Sequence, residues 1–504
     1  MKTIIVSLFA LLLSFISCND SKRFDKGHIL NELHKSKSEK YALDNDIIRR
    51  HIRAIAKSER SVLSMDRFTD RYYSFEKPYI WISRTGINSQ ADSLLNILKN
   101  AGECGIDTSI FKIHQIEKDI YSIRNLSFKS NPNLIMARIE YYLTKAFFRY
   151  SGGQSFGFVN PNYIYNNIEK YEVDSVTTKY RQLCNLKLES ADTLFYNKAI
   201  SEVKKHNINN FINDIQPKGK LYAHLIKRLR TEQNSSRIKT LCNIERCRWR
   251  FKQNSNTDNN TKHIIVNIPS FNLVATNKDS MLTMNIGCGT LNNKTPLLDS
   301  KITRMDINPQ WIVPKSIAKG YIGRNQYMNK MDMFVYDKKI GKLPPESVSY
   351  TKIMEGKQYI IQAGGKKNSL GRIIFRFDNN FSVFLHDTSS PWLLQKKHRA
   401  ISHGCVRVEK PFELALFLLN KKENNIIDKI KYSMTVELPN NTDSLKRKKT
   451  DRKRMINTIN IKPAIPLFIT YYTIFYDNSG AFSEFEDVYG FDKVLSEKLK
   501  PFMK

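Results

Sequence analysis

The hydrophobic period of this chain changes once, and that change decides what the chain can fold into. Upstream of an Asn- and Thr-rich stretch, Asn254 to Thr261, apolar residues recur at helical spacing. Ala91, Leu94, Leu95, Leu98 and Ala101 follow a Ser89-x-x-Asp92 capping pattern. Ile135, Ile139, Tyr142, Leu143, Ala146 and Phe147 make a second apolar face, after Pro132 and before Gly152-Gly153. Downstream, alternation with a period of two begins at His263–Ile268 and resumes at Met281–Ile286, as half-buried strands require. The expectation is a multidomain chain, mainly α-helical over about 45–253 and mainly β over about 262–495. Its 504 residues, 41% of them hydrophobic, suffice for two or three cores.

Within the β region, Ile373, Phe375 and Phe377, then Val383 and Leu385, alternate around Asp378-Asn379-Asn380 and predict a hairpin. His386 then falls at the end of its second strand. The stretch from Phe384 to Val408 holds three of the ten histidines and one of the seven cysteines. Cys405 follows Ser402-His403-Gly404, at a glycine turn where a strand begins or ends. A cysteine nucleophile acts as thiolate, and a neighbouring imidazole can lower its pKa from about 8.5. Gly404 lets backbone amides approach a tetrahedral centre, since it lacks a Cβ. Cys405 as nucleophile, a histidine as base and the amides around Gly404-Cys405 as oxyanion hole form a coherent acyl-transfer set. The residues alone permit either His386 or His403 as base. Two other readings exist: Cys405 as a buried hydrophobe, and zinc held by His398, His403 and Cys405, whose spacing fits no standard structural site.

His386-x15-Ser402-His403-Gly404-Cys405 resembles the signature of the YkuD-type L,D-transpeptidases. The likeness extends to Gln362–Gly365, Asn368–Gly371, Leu385–Thr388, Arg399–Ser402, Val266–Pro269, Lys294–Pro296 and Asn308–Pro314, which are similar to the large, multidomain YcbB-like branch. The resemblance implies a helical scaffold domain followed by a mainly β catalytic domain, with a capping subdomain at about 315–357. It implies that Cys405 attacks a peptide-stem carbonyl, that His386 is the base, and that the backbone carbonyl of Asp387 orients it. Ser402, His403, Arg407, Arg399 and Gly371 are the implied site-lining and substrate-binding residues. No metal or other cofactor is implied. The implied partners are peptidoglycan stem peptides, and the implied product is a 3–3 cross-link. Hydrolysis of the same thioester, by a carboxypeptidase or a hydrolase of protein–peptidoglycan links, is the enzymatic alternative. A noncatalytic peptidoglycan-binding lipoprotein is the alternative of another class. The sequence departs from the branch where Tyr222–Leu225 and Leu229 lead almost directly to Asn243–Trp249, without the peptidoglycan-binding module usually inserted there.

The N-terminus carries Lys2, an apolar run from Ile4 to Ile16, and Ser17-Cys18. It reads as a signal peptide over 1–17, with Cys18 as the lipidated residue and 18–44 as a tether. The expected location is the cell envelope, facing the periplasm and held to a membrane by the lipid. A net charge of +33 raises nucleic acid as a partner. The cations are dispersed, however, no nucleic-acid motif is present, and the export signal points to anionic envelope polymers and lipid headgroups. The densest run, Lys446 to Arg454, is expected as a solvated loop at about 440–460. Seven irregularly spaced cysteines make no disulfide framework, and pairing of Cys242 with Cys247 stays open.

Overall fold

The computed structural model describes residues 43–59, 63–83, 86–172, 178–232, 234–252, 262–278, 280–419, 423–437 and 451–503. The apolar leader, Cys18, the tether up to residue 42 and the basic residues Lys446 to Lys449 lie outside them, whereas Leu43, at the tether's end, is buried in the fold. The chain forms two compact units whose sequences interleave. One holds the described residues up to Val159, then Leu188–Arg250 and those from Ser496 onward; the other holds Asn160–Lys187 and Phe251–Leu495. A single division near 253–262 is therefore too simple, because 160–187 belongs to the β unit.

The first unit is helical. It contains α1 (Asn45–Ser58), α2 (Ser64–Ser74), a small hairpin of β1 (Ile82–Ser83) and β2 (Gly86–Ile87), α3 (Ser89–Lys99), α4 (Ile113–Arg124) and α5 (Pro132–Phe156). After α6 (Pro161–Tyr165), which belongs to the other unit, come α7 (Thr193–Lys204), α8 (Ile208–Ile215), α9 (Lys220–Leu229) and α10 (Asn234–Arg248). Asn88, not Ser89, caps α3 by accepting from the Ala91 amide, and Asp92 instead pairs with Arg124. The long helix α5 runs through Gly152-Gly153, where the sequence suggests an end. These glycines permit close approach: a Cβ at Gly152 would stand 2.7 Å from Tyr196 Oη, and one at Gly153 only 2.2 Å from the Phe158 ring. The helix stops at Gly157, whose φ of +85° leaves the helical region. Both predicted apolar faces lie in one core, with Leu94, Leu98, Ile135, Ile139, Leu143 and Phe147 buried. Buried Glu140 ties that core to the 80–82 segment by accepting from the amides of Ile80, Trp81 and Ile82 and from Tyr73 Oη, at 2.6–3.2 Å. Residues 230–233 alone separate α9 from α10. No disulfide joins the described cysteines, so Cys242 and Cys247, both on α10, do not pair.

In the second unit a hairpin of β3 (Lys170–Glu172) and β4 (Thr178–Tyr180) precedes β5 (Cys184–Asn185). The main sheet draws on β6 (His263–Asn267), β7 (Asn272–Asn277), β8 (Ser280–Gly289) and β9 (Leu297–Ile307). A second sheet consists of β10 (Trp311–Ile312), β11 (Met333–Asp337), β12 (Gly341–Leu343) and β13 (Gln358–Gln362). Next come β14 (Ile373–Phe377), β15 (Leu385–His386), β16 (Ala400–Ser402), β17 (Val406–Val408) and β18 (Thr458–Thr470). A last hairpin pairs β19 (Ile474–Tyr476) with β20 (Phe482–Glu484). The main order is β14-β15-β17-β8-β7-β6-β18-β9, and β9 pairs back onto β14. The sheet thus closes on itself and leaves these strands without a free edge. β5 adds outside β9, and β16 pairs with β8. Inward positions such as Ile264, Val266, Leu273, Met305, Phe375, Leu467 and Ile469 are fully buried.

The second sheet is an ordered subdomain with its own core of Val313, Met328, Met333, Val335, Ile353 and Ile360. The sequence shows this region as irregular because its strands span two to five residues and alternate with short helices, so no period can establish itself. Of the basic run, Asp451 to Arg454 form a capped 3-10 turn whose Arg454 guanidinium lies over the Tyr432 ring.

Candidate active site

The predicted hairpin is present. β14 and β15 pair antiparallel, with Ile374 opposite His386 and Phe375 opposite Leu385. Asn379 closes the connecting loop, donating to the carbonyls of Phe377 and Val383 and accepting from the amides of Phe381 and Val383. On its other side β15 pairs parallel with β17, placing Leu385 beside Val406 and His386 beside Arg407. The register continues outward, since the Val406 amide donates to the Phe384 carbonyl at 3.1 Å. Strand alternation then sorts the side chains. Leu385, Val406 and Val408 are fully buried on the inner face. His386 and Arg407 share the outer one, and Cys405 lies in the bend immediately before β17, where the Arg407 guanidinium acts on both His386 and Cys405.

His386 Nδ1 meets the Asp387 carbonyl at 2.5 Å, and the ring lies edge-on to Phe384. The Asp387 carboxylate faces away from this contact, accepting from the amides of Arg372 and Thr388 at 2.7 Å. Gly371 backs it: with φ of +65°, a Cβ there would come within 2.4 Å of Asp387 Cγ. Gly371 therefore leaves room for the Asp387 carboxylate.

Electrostatics separate the pair from the expected thiolate–imidazolium couple. Burial, reinforced by the Arg407 guanidinium, lowers His386 to about 4, against the opposing carbonyls of Asp387 and Leu370. Burial raises the Cys405 thiol, with the Phe384 amide and Arg407 pulling it back. Near neutral pH the resting groups are a neutral thiol and a neutral imidazole. The expectation that the imidazole depresses the thiol's pKa is thus not met, because desolvation penalises both charged forms. Arg407 itself is held below the usual guanidinium range by burial, and its Nε is buried without a hydrogen-bond partner.

The turn carrying Cys405 is braced from two sides. Ser402 Oγ donates to the Cys405 carbonyl at 2.6 Å and accepts from the Gly404 amide at 3.1 Å. Buried Ser402 therefore braces the turn. The Gly404 amide, one of the expected oxyanion donors, is already engaged, whereas those of His403 and Cys405 have no acceptor among the described residues. Gly404 adopts φ of +116°, open to glycine and strained for other residues. His403 sits in this bend, not in an extended strand, and is exposed. From the opposite side, Thr295 Oγ1 donates to the Gly404 carbonyl at 2.8 Å and accepts from the Gly289 amide. Tyr489 in turn donates to the Gly289 carbonyl at 2.6 Å and accepts from the Thr295 amide. Neither Thr295, inside the Lys294–Pro296 motif, nor Tyr489 has a role that is legible in the sequence.

Arg399 is engaged by backbone carbonyls. Its Nε donates to the Ile286 carbonyl, one terminal nitrogen to Lys396 and the other to Phe271, which consumes its fork. His398, a member of the zinc alternative, packs edge-on against Phe271. Among the described residues no three His, Cys, Asp or Glu side chains gather as a metal site.

Residues 261–428 match the family model described as L,D-transpeptidase catalytic domain (YkuD), and 66–229 match that of the scaffold domain. A Haemophilus influenzae protein named "Putative L,D-transpeptidase" is 25% identical over 308 residues. That alignment covers 59% of this chain and 58% of the relative, so the chain spans less than two thirds of the relative's length. The chain thus combines an L,D-transpeptidase catalytic domain of the YkuD type with a scaffold domain, the YcbB-like architecture.

Proposed function

We propose that this protein is a peptidoglycan L,D-transpeptidase forming 3–3 cross-links through a thioester on Cys405. One observation carries the reading: β15 ends at His386 beside Arg407 of β17, the strand that Cys405 immediately precedes, and the Asp387 carbonyl holds Nδ1 of His386. That contact leaves Nε2 to take the thiol proton as Sγ attacks the carbonyl of the diamino acid at position three of a tetrapeptide stem. The uncommitted amides of Cys405 and His403 are suited to the oxyanion. Collapse breaks the peptide bond, and the imidazolium returns its proton to the departing D-Ala amine. A side-chain amine of a second stem then attacks the thioester, gives a proton to His386 and releases Sγ. Because the resting pair is neutral, the proton moves during attack and is not transferred beforehand.

The test is incubation with purified disaccharide-tetrapeptide, read by mass spectrometry. A cross-linked dimer supports the proposal. Tripeptide plus free D-Ala would make the protein a carboxypeptidase, and an unchanged substrate a noncatalytic binder. A carbapenem should give one covalent adduct, absent in Cys405→Ala. We also propose attachment to a membrane through lipidated Cys18; an unchanged mass and fractionation in Cys18→Ala would refute it.

A further inference from the structure

A cavity of about 850 Å³ opens beside the nucleophile's turn, on the side of His403 and Gly404. Its far wall is not made by the residues that carry the catalytic motif. It is the β3–β4 hairpin, contributing Lys170, Tyr171, Lys179 and Tyr180. This hairpin lies within the stretch matched by the scaffold-domain model, yet it folds as part of the compact unit that holds Cys405. The short parallel pairing of β5 with β9 fixes the segment there, Cys184 opposite Leu297.

The wall is cationic beyond its own needs. Among the described residues, Lys170, Lys179, Arg181 and Lys294 face a single lining carboxylate, Glu169. Glu169 pairs with Lys294 and, at 3.5 Å, with Arg181. Lys170 has only the face of Tyr180, with its ammonium 5.9 Å from the ring centre. Neither Lys170 nor Lys179 makes an ion pair among the described residues. Four cations converging on one carboxylate, in a concave site flanked by half-exposed tyrosines, favour an anionic ligand. The cavity is lined by His403 and Gly404, the two residues before Cys405, so an occupant would lie beside that turn.

We propose that this cavity receives the free carboxylates of a peptide stem, with the β3–β4 hairpin as its recognition element. The proposal rests on the transpeptidase reading for the identity of the ligand, but its test does not depend on turnover. In full-length Cys405→Ala protein, binding of a disaccharide-tetrapeptide with free carboxylates is measured by titration. It is compared with the same stem carrying carboxamides. The free acid should bind at least tenfold more tightly, and the advantage should shrink as salt rises. Lys170→Glu with Lys179→Glu, both at exposed hairpin positions, should abolish the difference, whereas Lys170→Arg with Lys179→Arg should retain it. Equal binding of acid and amide, or a preference untouched by charge reversal, would overturn the proposal. Charge-dependent binding without any product from the wild-type protein would instead refute transpeptidation while leaving the receptor in place.

Discussion

His386 and Arg407 stand directly opposite each other in the parallel pair β15–β17, so a buried imidazole shares its strand position with a guanidinium. The cation disfavours the imidazolium and favours the thiolate two residues earlier, acting on both partners of the proton transfer. In the wild type the acid limb of Cys405 acylation, set by protonation of His386, should lie near pH 4. Arg407→Gln should move that limb upward, toward the ordinary imidazole value of about 6.5, and slow alkylation at neutral pH. A rate loss with the limb unmoved would mean that Arg407 acts on the thiol alone. His386→Ala should cost roughly 10²–10⁴-fold at all pH values where the base normally works.

Two buried groups in the two units titrate in opposite senses. His386 falls from 6.5 to about 4 on folding, so the folded unit binds fewer protons in that window. Its contribution is present above the unfolded value and is lost as pH drops toward 4, on the order of 3 kcal/mol. Glu140 rises from 4.5 to about 7, chiefly through burial, despite four donors aimed at it. Its contribution is present below the unfolded value and is lost as pH climbs toward 7, again about 3 kcal/mol. Hydrogen exchange should therefore show α5 gaining protection, and β15 losing it, as pH is lowered from about 6.5 to about 5. Glu140→Gln should flatten the first slope and His386→Gln the second. A common slope in both units would contradict the assignment.

Thr295 joins Gly289 to Gly404 through one hydroxyl. Thr295→Val should leave a buried amide and a carbonyl unpaired, at about 1–3 kcal/mol each, and loosen the turn. Acylation by stem substrate should fall while alkylation by a small reagent changes little, and Thr295→Ser should restore both. Equal loss in the two reactions would indicate general destabilisation.

Arg399→Met should lower stability by about 3 kcal/mol or more, because three carbonyls lose a charged donor. The KM for a stem substrate should remain near the wild-type value in whatever protein folds. A raised KM at unchanged stability would return Arg399 to the substrate site.

What the sequence revealed was local. The β14–β15 hairpin, His386 at its end and a strand beginning after Cys405 all follow from alternation and turn chemistry within some thirty residues. The roles of Arg399, Ser402 and Gly371 were hidden because a side chain's identity does not disclose which backbone groups take its donors or occupy its space. Arg399 is consumed by carbonyls of Phe271 and Ile286, more than a hundred positions away. Thr295 and Tyr489 are as distant from Gly404 and Gly289. The extension of α5 past Gly152-Gly153 was likewise illegible, since those glycines answer to Tyr196 and Phe158 and not to the helix itself.

The interleaving of the chain sets a limit on how this enzyme can be divided. A fragment starting at the polar linker would contain Cys405, His386 and every strand of the closed sheet. It would nonetheless lack β3, β4 and β5, and with them one wall of the cavity beside the nucleophile. A fragment ending at the linker would lack the C-terminal residues from Ser496 that complete the helical unit. Neither half is a transferable cassette. Recombination that moves the β unit of this chain must carry the 160–187 segment with it, so the cavity wall and Cys405 travel together only when the cut is made twice.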